Sequence, residues 1–131
     1  MDNRVKALWL NALRSGEYKQ GKQALRSADN KFCCLGVLCD LYVKEHGLEW
    51  MYDDDYNPFI PPEHYNFILN EGAACYNYPH DKVFEWAGMG EEDDKIPQKL
   101  RPNKKSTHLY CLNDWEDYTF EQIADVIEEG F

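Results

Sequence analysis

Residues 32–47 read FCCLGVLCDLYVKEHG, and the fold turns on how that stretch is read. Leu35, Leu38, Cys39 and Tyr42 follow the i, i+3, i+4, i+7 spacing that aligns side chains along one helix face. Val37, Leu41 and the thiols of Cys33 and Cys34 widen the stripe until little polar face is left before Lys44. A helix apolar almost all round is covered on several sides, so the stretch predicts a buried core helix. Gly47 supplies a stop, and His46 suits the negative end of the helix dipole.

Working outward, Asp2 can cap a first helix whose apolar positions Val5, Leu8, Trp9, Ala12 and Leu13 keep helical spacing up to Gly16. Residues 17–22 read as a turn centred on Gly21. Residues 22–26 and 31–34 flank Ser27-Ala28-Asp29-Asn30, which predicts an antiparallel hairpin leading into the core helix. Beyond it, residues 49–52 read as a strand and 53–62 as an acidic, proline-bearing loop. Residues 63–69 fit a helix or a strand, and 73–78 a strand. Pro79 opens a short helix with Val83, Trp86 and Ala87 inward and Gly88 as its stop. Residues 91–103 read as an exposed loop and 109–112 as a strand. Thr119 with Gln122 forms a capping box that starts a last helix, with Phe120, Ile123, Ala124 and Ile127 on its apolar face. The expectation is one α+β domain over residues 1–131, with a central buried helix, flanking helices and a small antiparallel sheet holding the 22–34 hairpin.

Composition excludes several classes. Hydrophobic residues make up 44% of the 131 and aromatics 15%, which rules out a wholly disordered chain. So many rings leave some for a surface or pocket, where they serve as binding platforms. No apolar run approaches the roughly 20 residues that span a bilayer. The opening MDNRVKALW lacks the apolar region of a secretory signal, so a cytoplasmic protein is expected. Five cysteines, with neither C-x2-C nor H-x3-H among them, point to core packing rather than zinc or a disulfide framework. Asp53, Asp54 and Asp55 lack the spacing of a calcium loop. No phosphate-binding, dinucleotide-binding, nucleophile-elbow or metalloprotease motif occurs, and no cofactor is expected.

Charge is uneven. The first 31 residues carry Arg4, Lys6, Arg14, Lys19, Lys22, Arg26 and Lys31 against Asp2, Glu17 and Asp29, a balance of +4 in a chain of −10. A globally acidic protein repels nucleic acid at long range, so direct DNA or RNA binding is not expected, but a local basic patch can hold a small anion. Read as a strand, residues 22–26 place Lys22 and Arg26 on one face beside the Gly21 turn, with Leu25 inward. Arg14, Lys19, Lys22 and Arg26 are thus the candidate phosphate contacts. Gln20 and Asn113 are candidates for reading a base or ribose, with Asp114 a further polar partner. Tyr18 or Trp50 would stack on the base. The plain alternative for the basic residues is a solvated face.

Four segments in order, YKQGKQALR (18–26), FCCLGVLCDLY (32–42), the P-x-x-x-V-x-x-W-x-G pattern (79–88) and LND followed by TFEQIADVIE (112–128), resemble a family of small proteins widespread in bacteriophage and prophage genomes. The resemblance covers about half the chain and carries no assigned catalytic or binding residues. It implies an accessory protein acting in the cytoplasm of an infected bacterium. The first expectation is a counter-defence protein that sequesters a small nucleotide-derived anion, as a monomer or a homo-oligomer. The alternative is an acidic inhibitor of a host protein, imitating DNA charge with residues 53–55, 91–94 and 116–129. A third is a nucleotide-processing enzyme with Asp114 or Asp40 as base.

Overall fold

The computed structural model describes residues 1–52, 65–67, 78–90 and 94–131. Among them five α-helices and four short strands make a small α+β domain. The order is α1 (Asn3–Arg14), β1 (Lys19–Gln20), β2 (Lys31–Phe32), α2 (Cys34–Glu45), β3 (Trp50–Tyr52), β4 (Tyr65–Phe67), α3 (Asp81–Ala87), α4 (Leu109–Asp114) and α5 (Phe120–Gly130). The expected strand at 73–78, the acidic loop with Asp53–Asp55 and the thiol of Cys75 lie outside the described residues, apart from Tyr78.

Within residues 32–47, Cys34–Glu45 form the core helix. α2 buries Cys34, Leu35, Gly36, Val37, Leu38, Cys39, Tyr42 and Val43, with Asp40 the one buried carboxylate in it. α1 lays Val5, Trp9 and Leu13 against it, and α5 adds Ile123, Ala124 and Ile127. The fully buried Trp9 indole donates to the Cys34 carbonyl at 3.0 Å, satisfying its one polar atom. The Asp2 carboxylate accepts from the Val5 N–H at 2.9 Å as the cap of α1. Thr119 and Gln122 form the reciprocal capping box that starts α5. α3 ends at Gly88, whose φ of 67° is the left-handed stop expected of a glycine.

Three expectations are corrected. Residues 22–26 are not a strand, and the sheet they were to enter is parallel: Lys19 pairs with Lys31 and Gln20 with Phe32. Gln23 breaks the strand with φ 63°, held there by its N–H donating to Asp114 Oδ1 at 3.0 Å. Ala24 and Leu25 are consecutive yet both buried, which does not fit a strand with one face to solvent. What remains of the hairpin is a turn, Ser27 N–H to the Lys31 carbonyl at 2.9 Å, with one antiparallel bridge between Arg26 and Phe32. An antiparallel pair does occur elsewhere, between β3 and β4. Residues 109–112, expected as a strand, belong to α4. Its own flanking residue His108 makes no side-chain cap, and the Asp94 carboxylate caps it instead by accepting from the Tyr110 N–H at 3.1 Å.

Among the described glycines, Gly36 has the least room for a side chain. A Cβ built there would lie 1.7 Å from the Leu25 carbonyl oxygen and 2.6 Å from its carbon, so α2 rests directly on the backbone of the 22–26 segment. Backbone cannot swing aside as a side-chain end can. Gly36→Ala is therefore expected to cost on the order of 3 kcal/mol or more, the upper end of overpacking penalties, in a denaturant titration.

Candidate functional site

The residues singled out by sequence separate into three groups. The first is a polar junction. Gln20 Nε2 donates to Asn113 Oδ1 at 2.9 Å and to the Tyr118 carbonyl at 2.7 Å, while its Oε1 accepts from the Phe120 N–H at 3.1 Å. Asn113, fully buried, also accepts from the Cys34 N–H at 3.2 Å and donates to the Gly21 carbonyl at 2.9 Å and to Asp114 Oδ1 at 2.8 Å. These two amides bind β1, α2, α4 and α5 together. A ligand that reads either one has to displace a bond or use the second lone pair of Gln20 Oε1.

The second group gathers around Asp40. Tyr18 donates its hydroxyl to Asp40 Oδ2, the Trp50 indole donates to Oδ1 at 2.9 Å, and Lys44 lies 3.0 Å from Oδ2 and 3.2 Å from the Tyr18 hydroxyl. Burial works against the Asp40 charge, but the bonds from Tyr18, Trp50 and Lys44 outweigh it and hold the carboxyl below its ordinary range. Burial and the Asp40 bond push the Tyr18 phenol up, so it stays protonated as the donor. Tyr18, Phe32 and Trp50 meet edge to face at 5.1 and 6.3 Å between successive centroids. The Arg26 guanidinium lies 5.4 Å from the Phe32 ring centre and 5.6 Å from that of Trp50, and Lys44 lies 5.4 Å from that of Tyr18. Asn30 Oδ1 accepts from two nitrogens of Arg26, at 3.1 and 2.7 Å, and fixes the plane of the guanidinium.

The third group is dispersed. Arg14 sits on the α1–α5 seam, bound to Asp125 at 2.8 Å and Glu128 at 3.1 Å, away from the other candidates. Lys22 pairs with Asp117. Lys19, exposed on β1 opposite Lys31, makes no ion pair among the described residues.

Sequence reasoning passed over two features that it could have found. Asp40 and Lys44 stand at the i, i+4 spacing of a helical ion pair. Residues 95–105 hold Lys95, Lys99, Arg101, Lys104 and Lys105 with no carboxylate among them, so residues 1–31 are not the only positive region.

Among the described residues no group of three or more His, Cys, Asp or Glu is arranged to hold a metal ion. Cys33, Cys34, Cys39 and Cys111 are buried. Burial pushes the Cys33 thiol up to about 12 and Cys34 well above its ordinary value, which deprives both of nucleophilic thiolate. Cys33 acts instead as a cap, its sulfur accepting from the Gly36 N–H at 3.3 Å.

Two substitutions separate the junction from the Asp40 cluster. Asn113→Asp replaces a donor that faces two oxygens by a buried, uncompensated charge, and should cost about 3–5 kcal/mol in urea titration near neutral pH. Asp40→Asn removes the charge and replaces one of the two acceptor oxygens facing three donors by an NH2 group, and should cost about 1–3 kcal/mol near neutral pH. Because the folded protein holds the Asp40 carboxyl below its unfolded value, its stabilisation is full above that value and is lost as pH falls through the folded one. The difference between wild type and Asp40→Asn should accordingly close on acidification.

No helix among the described residues is long and apolar enough to cross a membrane. No curated protein and no solved structure matches the chain. A family model described as "Domain of unknown function (DUF8296)" matches residues 1–131, and the chain belongs to that family.

Proposed function

We propose that the protein binds a small nucleotide-like anion against the cluster of Tyr18, Arg26, Phe32, Lys44 and Trp50. The observation that carries this reading is the Arg26 guanidinium, bonded to Asn30, lying 5.4 and 5.6 Å from the centres of the Phe32 and Trp50 rings. A guanidinium there can pair with phosphate, and the half-buried rings of Tyr18 and Trp50 offer a stacking face to a base, with Phe32 buried beneath them. Lys19 on β1 adds positive charge, while Lys31 opposite it is paired with Asp29. Together with the resemblance to phage accessory proteins, this supports a counter-defence role, in which the ligand is a nucleotide-derived signal sequestered in the bacterial cytoplasm.

The acidic-inhibitor reading has the exposed carboxylates of α5 in its favour, but Asp125 and Glu128 are already engaged by Arg14. An enzymatic reading would use Asp40, which is committed to three donors.

The test is a panel of cyclic and ADP-ribose-derived nucleotides, followed by native mass spectrometry and by chromatography of the recovered ligand. A bound nucleotide recovered intact is the expected result, and an altered one would make the protein an enzyme. Arg26→Gln with Lys19→Gln should weaken binding at least about tenfold, with the thermal midpoint within a few degrees of wild type. Binding untouched by that pair of changes, or no binding across the panel, would sink the proposal.

A further inference from the structure

The basic segment 95–105 shares no residue with the site proposed above, and its charge is disposed differently. The N-terminal cations are largely consumed within the fold: Arg4 by Glu45, Arg14 by Asp125 and Glu128, Lys22 by Asp117 and Lys31 by Asp29. Lys99, Arg101, Lys104 and Lys105 make no ion pair among the described residues, and all three lysines are exposed.

The segment is nonetheless fixed. The Ile96 N–H donates to the Thr107 carbonyl at 2.8 Å, and Arg101 Nε donates back to the Ile96 carbonyl at 2.7 Å. A single 3-10 turn spans Gln98–Leu100, and Leu100 and Pro97 pack closely on Gly130 at the end of α5. Asn103 Oδ1 accepts from the N–H groups of Lys105 and Ser106 at 2.8 and 2.9 Å, closing the turn that presents Lys104 and Lys105. Anchoring thus falls to uncharged groups and to Arg101, and the ammonium groups of Lys99, Lys104 and Lys105 make no ion pair among the described residues.

Beside this segment stands Trp115, 65% exposed and the most exposed large hydrophobic side chain among the described residues. The next residue, Glu116, ties it there: its Oε1 accepts from Asn103 Nδ2 at 2.8 Å and from Ser106 Oγ at 2.7 Å. The carboxylates around the indole are turned onto protein partners. Asp114 accepts from the Gln23 N–H and Asn113, Glu116 from the basic segment, and Asp117 from Lys22. A solvent-facing indole next to several uncommitted lysines combines a stacking platform with phosphate-neutralising charge.

We infer that residues 95–105 and Trp115 form a binding surface for single-stranded nucleic acid, with the lysines meeting successive phosphates and the indole stacking on a base. An acidic peptide would satisfy the lysines but make no use of the indole. A duplex keeps its bases stacked on one another and brings a second row of phosphates toward an acidic surface. The chain's net charge of −10 does not forbid the contact. At physiological ionic strength charges are screened over about 8 Å, so the phosphates at the lysines feel mainly the local field.

Fluorescence anisotropy of a short fluorescein-labelled oligodeoxyadenylate, titrated with the full chain between roughly 50 and 200 mM salt, tests this. Binding that weakens steeply with salt is expected. Lys104→Gln with Lys105→Gln should lower the magnitude of the log–log salt slope by about 1.4, since each single-strand phosphate contributes about 0.7. Trp115→Ala should weaken binding roughly tenfold without changing that slope, and Trp115→Phe should restore most of it. These side chains are exposed, and an unchanged thermal midpoint verifies that each variant is folded. Absence of binding at low salt, indifference to both sets of variants, or equal competition by polyglutamate or blunt duplex would each overturn the inference.

Discussion

Asn113 is the constraint on which the rest depends. Its amide is fully buried, and it spends both hydrogens and its oxygen on the Gly21 carbonyl, Asp114, the Cys34 N–H and Gln20. Through these bonds one residue at the end of α4 fixes the first turn of α2, the glycine after β1 and, by way of Gln20, the start of α5. A neutral amide suits the task because it presents donors and an acceptor at once, and burying it needs no counter-ion. The apolar core around α2 supplies most of the burial, but apolar contacts are non-directional. The junction settles where the chain enters and leaves that core.

Features written in one local stretch were legible. The near-continuous apolar surface of residues 32–43 forces a buried helix whatever surrounds it. The Asp2 cap, the Thr119–Gln122 capping box and the Gly88 stop each need only residues within one turn of one another. The failures needed a distant partner. The Leu109-Tyr110-Cys111-Leu112 run is short and apolar, so periodicity cannot separate strand from buried helix. Its helical start is supplied by Asp94, which no capping pattern in residues 106–109 announces. The hairpin failed at Gln23, whose left-handed backbone is held by Asp114, far along the chain. A non-glycine residue in that conformation is unforeseeable from propensity, because propensity argues against it.

The candidate site was legible in part, for a reason that concerns charge. An excess of cations over a sequence window says that positive charge is present, not that it is available. Arg14 and Lys22 lie in the window that looked most basic, yet acidic residues more than ninety positions later hold them. Arg26 bonds to Asn30 and lies within 5.6 Å of two ring centres. Phe32 was read only as part of the core stretch and Lys44 only as its polar boundary, yet both face Tyr18.

α4 carries this reasoning one step further. A helix of six residues is far too short to persist by itself, since nucleation costs more than so few internal bonds return. It exists because Asp94 satisfies its first turn, Leu109 and Leu112 are fully buried, and Asn113 is locked at its end. The orientations of Asn113 toward β1 and of Trp115 toward solvent follow from the same tethers. Both faces discussed above therefore hang on a helix with no strong helical signature of its own. Burial raises the proton affinity of Asp94, and the N–H of Tyr110 and the hydroxyl of Tyr78 offset part of that rise. The carboxylate and the helix end stabilise each other: the exposed N–H groups of a first turn favour negative charge, and a buried negative charge requires such donors.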